Sequence, residues 1–229
     1  MSNDFVNKFS LDYYREIINK GKKLNYNFCT VNDYYQLGCP KENYIVIRHD
    51  VDIQPGSVQQ LVDCEKNLGV PATYYVRVCG SPYNLFDYSL FKTFKEAENL
   101  GFEIGLHSNP VEFAKINNLQ TIDVICSEVE MLSQFFNVKS MACHRDMNYI
   151  YNSLPFVEDN WHVIKKKTGL KCQAYDKLFF SNSVYVNEGV HFFIGWRDKK
   201  PEDVMETGKS IYLMTHNHWW YKNHPFEVR

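Results

Sequence analysis

The sequence predicts an α/β fold of mostly parallel strands wrapped by helices, closed or nearly closed into a barrel. Three observations carry that prediction. Short apolar, β-branched runs alternate with segments of helical periodicity. The connections between them are a few residues long, and strand–helix–strand repeats of that kind build parallel sheets. The length, 229 residues, lies within the range that such barrels fill as one domain. No internal repeat, low-complexity tract or Gly/Ser linker divides the chain. Residues 1–229 are therefore expected to form one domain, with a helical lead-in over 1–40 and the barrel over 44–220.

The elements follow in order. Ser10 is placed to cap a helix from residue 11 to about 20, with Gly21 as its stop. Turn-forming clusters at 37–40 and 41–43 precede the first strand, 44–48, which is apolar as a strand buried on both faces should be. Val58, Leu61, Val62, Glu65 and Leu68 share one helical face, closed by Gly69. A second strand over 70–76, a helix over 89–100 stopped by Gly101, and a third strand over 102–107 come next. Ile122, Ile125, Val129, Leu132 and Phe136 form a helical stripe, and 138–143 a fourth strand. Beyond residue 150 the pattern loosens. It predicts a helix over 161–167 and short strands at 171–175, 184–186, 191–196 and 211–215.

Composition excludes several classes of function. With 25 basic against 27 acidic side chains and a net charge of −2, the chain is no electrostatic nucleic-acid binder. At 45% hydrophobic and 23% charged residues it is globular rather than disordered. No apolar run approaches the roughly 18 residues of a membrane span. The opening segment MSNDFVNKFS has neither the basic start nor the apolar stretch of a secretory signal, so a cytoplasmic location is expected. The seven cysteines are odd in number and contain no C-x-x-C pair, which predicts free thiols rather than disulfides or a zinc finger. Aromatic residues reach 16%, with 16 tyrosines, and predict an aromatic-rich core and rim.

Polar residues gather at the strand ends, where folds of this kind place their active sites. The first strand ends in Arg48-His49-Asp50-Val51-Asp52. Side chains alternate along a strand, so Asp50 and Asp52 project to one side and His49 to the other. Two carboxylates on one face of a buried strand are costly unless a metal or other partners neutralise them. A metal ligand beside a general base is the functional reading. The third strand ends in His107-Ser108-Asn109-Pro110, the fourth in Cys143-His144-Arg145-Asp146, and the last in Thr215-His216-Asn217-His218. Four strands thus deliver histidine, aspartate or both to one end of the sheet, the pattern of a metal-dependent hydrolytic site.

This order and spacing resemble the NodB-homology polysaccharide deacetylases (carbohydrate esterase family 4), in the branch whose first motif reads HDVD and which accompanies surface-polysaccharide biosynthesis. His49-Asp50-Val51-Asp52 is that first motif. Gly101-Phe102-Glu103-Ile104-Gly105-Leu106-His107 resembles the family's G-H-E-I-G-x-H. The segment 68–76 resembles the intervening strand, and Tyr212-Leu213-Met214-Thr215-His216 the closing L-x-x-H. The resemblance implies a distorted (β/α) barrel of about seven strands that removes an acetyl group from a sugar with a divalent metal, zinc above others. It makes Asp50 the general base, Asp52 and His107 metal ligands, His216 the general acid, and Arg145 the residue that orients Asp50. The implied substrate is an N-acetylated sugar in a glycan precursor. A catalytically inactive sugar-binding relative and a metal-dependent amidohydrolase acting on a small non-sugar amide are the alternatives.

The sequence departs from the family at two motifs. The family's H-S/T-x-x-H carries a second metal-binding histidine where this chain has Val111. Zinc in a catalytic site takes three protein ligands plus an open position, so a third ligand must come from elsewhere. Glu112 and His144 are level candidates, and Asn109 is a weaker one; loss of the metal is the remaining possibility. The family's R-x-P-Y becomes Arg145-Asp146-Met147-Asn148-Tyr149. The acid expected behind the closing histidine is Asp176 or Asp198. Trp219, Trp220 and nearby tyrosines are candidates to stack on sugar faces or to pack the rim.

Overall fold

The computed structural model describes residues 9–53, 55–79, 83–144, 151–188, 195–220 and 222. Chain order is α1 (Leu11–Lys23), β1 (Asn27–Cys29), α2 (Val31–Gln36), β2 (Tyr44–Val51), α3 (Val58–Leu68), β3 (Thr73–Val76), α4 (Tyr88–Asn99), β4 (Glu103–Ser108), α5 (Pro110–Asn117), α6 (Thr121–Ser133), β5 (Ser140–Cys143), α7 (Ser153–Thr168), β6 (Cys172–Gln173), α8 (Lys177–Asn182), β7 (Val184–Asn187), α9 (Pro201–Met205) and β8 (Ile211–His216). Short 3-10 turns stand at Pro55–Ser57 and Asn217–Trp219.

All the strands pair in parallel. The sheet runs β6-β5-β4-β3-β2-β8-β7, with β1 added to the early half of β2 on the edge that β3 takes further along. Read as a ring, this is sequential order from β2 to β8, the connectivity of a (β/α) barrel. The ring is open at one seam, because β6 and β7 do not pair among the described residues. The result is a half-barrel of seven main strands with helices around it.

Both faces of the sheet are buried. Ile45, Ile47 and Val51 of β2 point outward and join Leu61, Phe94, Ile125, Leu132, Val157 and Ile164 of the surrounding helices. Val46 points inward and joins Tyr75, Ala142, Cys172, Phe179 and Tyr212 inside the barrel. Burial on two faces is why the strands read as continuous apolar runs rather than as alternation. The interior is filled by tyrosines, and Gly105 makes room for one of them. A Cβ at Gly105 would lie 2.4 Å from the Tyr75 ring and 3.0 Å from the Ser140 carbonyl.

Several boundaries differ from the sequence reading. Gly21 does not stop α1, which continues to Lys23. Its missing side chain instead lets Ile45 and Phe28 pack close: a Cβ there would meet them at 2.8 and 2.9 Å. Sequence reasoning also missed β1, α2, α5, α8 and α9, all of eight residues or fewer. The strand expected at 191–196 falls largely outside the described residues, although Trp196 bridges Glu188. The seven cysteines are free thiols, as expected. No helix among the described residues is long and apolar enough to cross a membrane.

Candidate metal centre

Parallel strands end together, so five strands of the sheet bring their last residues to one mouth. Asp50 lies near the end of β2 and Asp52 just past it. His107 lies near the end of β4, and His216 ends β8. His144 follows β5, held there by its backbone N–H donating to the Ser108 carbonyl at 2.7 Å. Glu188 follows β7.

Asp52 is the hub. His107 Nε2 stands 2.9 Å and His144 Nε2 3.5 Å from its Oδ1, while His216 Nε2 stands 3.3 Å from its Oδ2. One ligand atom from each of Asp52, His107 and His144 lies within 4.8 Å of the others. Burial alone would raise the Asp52 carboxyl, but the three imidazoles outweigh it and hold it well below the usual carboxylate range.

The donor chemistry of this trio fits a divalent cation. His107 Nδ1 is 3.1 Å from the Ala142 carbonyl, which can only accept, so Nδ1 donates there and Nε2 is the nitrogen turned to the site. Nε2 faces the buried Oδ1 of Asp52 at 2.9 Å. An imidazole nitrogen and a carboxylate oxygen so placed hold either a proton or a cation between them. A second imidazole nitrogen at the same oxygen favours the cation. Ligands about 2.0–2.1 Å from a tetrahedral zinc lie roughly 3.3 Å apart, close to the two nitrogen–oxygen spacings seen here. One carboxylate and two imidazoles suit zinc or a similar borderline metal.

Glu112, the other candidate for third ligand, sits on α5, where its carboxylate accepts from Asn109 Nδ2 at 2.6 Å. It is not part of the ligand trio. Asn109 Oδ1 accepts from the Ser153 hydroxyl at 2.7 Å, docking α5 on α7.

Asp50 lies beside the trio, 3.6 Å from His107 Nε2. Arg48, two residues earlier on the same strand face, grips both carboxylate oxygens: Nε donates to Oδ1 at 2.8 Å and Nη2 to Oδ2 at 2.7 Å. Burial disfavours the Asp50 charge, but Arg48 above all keeps the carboxyl below its usual range. Arg145 lies outside the described residues. On the other side of the mouth, Glu188 accepts from both the backbone N–H and Nδ1 of His216, the latter at 2.8 Å. Burial disfavours the imidazolium, yet Glu188 and Asp52 hold His216 protonated well above the usual histidine range. Glu188 therefore occupies the place expected of Asp176 or Asp198. Asp176 instead caps α8, and Asp198 is exposed.

No family model matches the chain, and no curated protein matches it in sequence. Solved structures do match. The Streptococcus pyogenes deacetylase PplD, solved in complex with acetate, aligns over 91% of this chain and 92% of that one, with 14% identity and a TM-score of 0.53. The chitin deacetylase from the fungal pathogen Colletotrichum lindemuthianum aligns over 77% and 74%, with 13% identity and a TM-score of 0.42. The chain has the fold of the deacetylase PplD.

Within this fold the two tryptophans and the remaining histidines take structural places or lie outside the described residues. Trp220 is fully buried against Tyr14 and Phe9, with ring centroids 4.9 and 5.2 Å apart, and is closed to any sugar. Trp219 is half-buried beside His218. His49 points away from the site, as strand alternation requires. It bonds Glu65 at 2.7 Å and Thr215 at 2.8 Å in a fully buried network with Tyr14 and Tyr74. His162 is exposed, and His191 and His224 lie outside the described residues. Two residues of the site escaped sequence reasoning. Arg48 could have been found by the i, i+2 rule that already paired Asp50 with Asp52. Glu188 could have been found by applying the strand-end rule to the strand expected at 184–186.

Proposed function

We propose that the protein is a metal-dependent deacetylase that removes an acetyl group from an N-acetylated sugar of a surface-polysaccharide precursor. One observation carries the reading: Asp52, His107 and His144 converge at one point, flanked by a carboxylate locked to arginine and by a histidine backed by Glu188. His144 would supply the third ligand that Val111 leaves missing from the motif, which supports a working site over an eroded one. The likeness to PplD in fold and the first and second sequence motifs point the same way.

A divalent cation held by Asp52, His107 and His144 would supply Lewis acidity for activating water and polarising the acetyl carbonyl. This chain's own residues do the rest. Asp50 is ionised and aimed at the mouth, and it takes the proton of the attacking water. His216 is protonated, with Glu188 behind Nδ1 and Nε2 turned to the mouth, and it delivers a proton to the departing sugar nitrogen. Glu188 fixes the ring and stabilises its charge. The two groups thus enter with opposite protonation states, set by their unlike neighbours.

The test is acetate release from N-acetylated oligosaccharides by zinc-loaded protein, alongside Asp50→Asn. The expected result is turnover in the wild type and a loss of at least about 100-fold in the variant, with zinc retained in both. An equally active Asp50→Asn would remove Asp50 as the base; absence of acetate release across neutral and acidic N-acetylated sugars would remove the substrate class.

A further inference from the structure

Arg48 is a fully buried cation in the middle of a barrel, and burying such a charge is costly unless close partners and good hydrogen-bond geometry repay it. Four of its N–H groups are spoken for. Two go to the oxygens of Asp50; another reaches the Tyr175 hydroxyl at 2.9 Å, and Nη1 reaches the Tyr212 hydroxyl at 3.4 Å. The guanidinium carbon lies 4.5, 5.2 and 6.0 Å from the ring centroids of Tyr175, Tyr75 and Tyr212. Tyr212 is fixed in turn by donating to the Ala174 carbonyl at 2.9 Å. The planar fork is therefore surrounded by three tyrosine rings and hydrogen-bonded along its edge.

A fork so held dictates the plane of whatever carboxylate it binds. It takes one lone pair from each oxygen of Asp50 and leaves the others facing His107 and the mouth. Arg48 and Asp50 stand at i and i+2 on one strand, so the backbone of β2 sets their spacing without help from any loop. We propose that Arg48 is the positioning residue of the deacetylation site, fixing Asp50 through a bidentate fork that the tyrosine cage makes rigid. The proposal rests on the reading of Asp50 as the base. A barrel strut would need only the buried charge and its volume; a positioning residue needs the planar fork.

Arg48→Lys separates the two, because lysine keeps the charge and loses the fork. Acetate release, zinc content and melting temperature are measured for Arg48→Lys and Arg48→Met, each alone and with Asp50→Asn. The expected result is a fall in kcat of about 100-fold for Arg48→Lys, the scale of a 1 Å misplacement of a reacting group. KM and zinc content should stay within about threefold of wild type, and neither substitution should cost anything further once Asp50 is Asn. If Arg48→Met does not fold, Arg48→Lys decides alone. Folded Arg48→Lys with kcat within about threefold of wild type overturns the proposal, as does a further tenfold loss in the Asp50→Asn background. Should the wild type release no acetate, the deacetylase reading fails on its own. Positioning is then read from crystal structures of wild type and Arg48→Lys: an Asp50 carboxylate rotated from its wild-type plane supports it, and an unmoved one overturns it.

Discussion

The chemistry of the mouth depends on which atoms hold protons, and neighbours one bond away decide that. Asp50 is anionic because a guanidinium grips it; His216 is cationic because Glu188 and Asp52 flank it. Glu188 is the lever for testing this. Glu188→Gln keeps the shape and an acceptor but removes the charge behind the imidazolium. Acetate release should fall about 10- to 100-fold, as for other outer partners of site residues, while zinc content stays at the wild-type level. The pairing of Asp50 with Asp52 was legible in the sequence, because strand alternation is independent of context. The arginine and glutamate that set their neighbours' charge were less so. Only its place after a strand marks Glu188, whose partner lies 28 positions away across a strand pair.

Elements were legible to the extent that their hydrophobic pattern was long. The stripes under α3 and α6 and the apolar runs of β2 and β4 appear where periodicity placed them. Helices of five to eight residues, α2, α5, α8 and α9, offer too few turns to show a period and start from caps that resemble turns. β2 outruns its expected end at Arg48 because His49 and Asp50 are polar yet each finds a buried partner. Glycines were ambiguous for a physical reason. Gly69 and Gly169 end helices at φ 61° and 78°, whereas Gly21 and Gly105 are there for close approach. Gly105→Ala should therefore destabilise by about 1–3 kcal/mol through overpacking against Tyr75, seen as a lower urea midpoint with an unchanged denaturant slope.

At the scale of the whole molecule, the barrel is completed by side chains where hydrogen bonds between strands run out. Tyr212 on β8 donates to Ala174, and Arg48 on β2 reaches Tyr175, so the segment after β6 is tied to the far side of the seam through the interior. Phe179 of α8 stacks on Tyr212 at 5.1 Å. Tyr212→Phe keeps the ring and removes the ties; it should cost about 1–2 kcal/mol in unfolding free energy and leave metal binding intact. This is why the sequence indicated a barrel but not its open seam: the strands follow a period, whereas closure depends on tyrosines far apart in sequence. The same closure gathers the ends of β2, β4, β5 and β8 around one point. The most direct test of that convergence is the zinc content of protein reconstituted with zinc and desalted, as wild type, His107→Ala, His144→Ala and Glu112→Gln. The structure predicts about one equivalent in wild type and Glu112→Gln and none in the two histidine variants, with affinity pooled from three ligands. One equivalent retained by His144→Ala and lost by Glu112→Gln, or no zinc in the wild type, would contradict it.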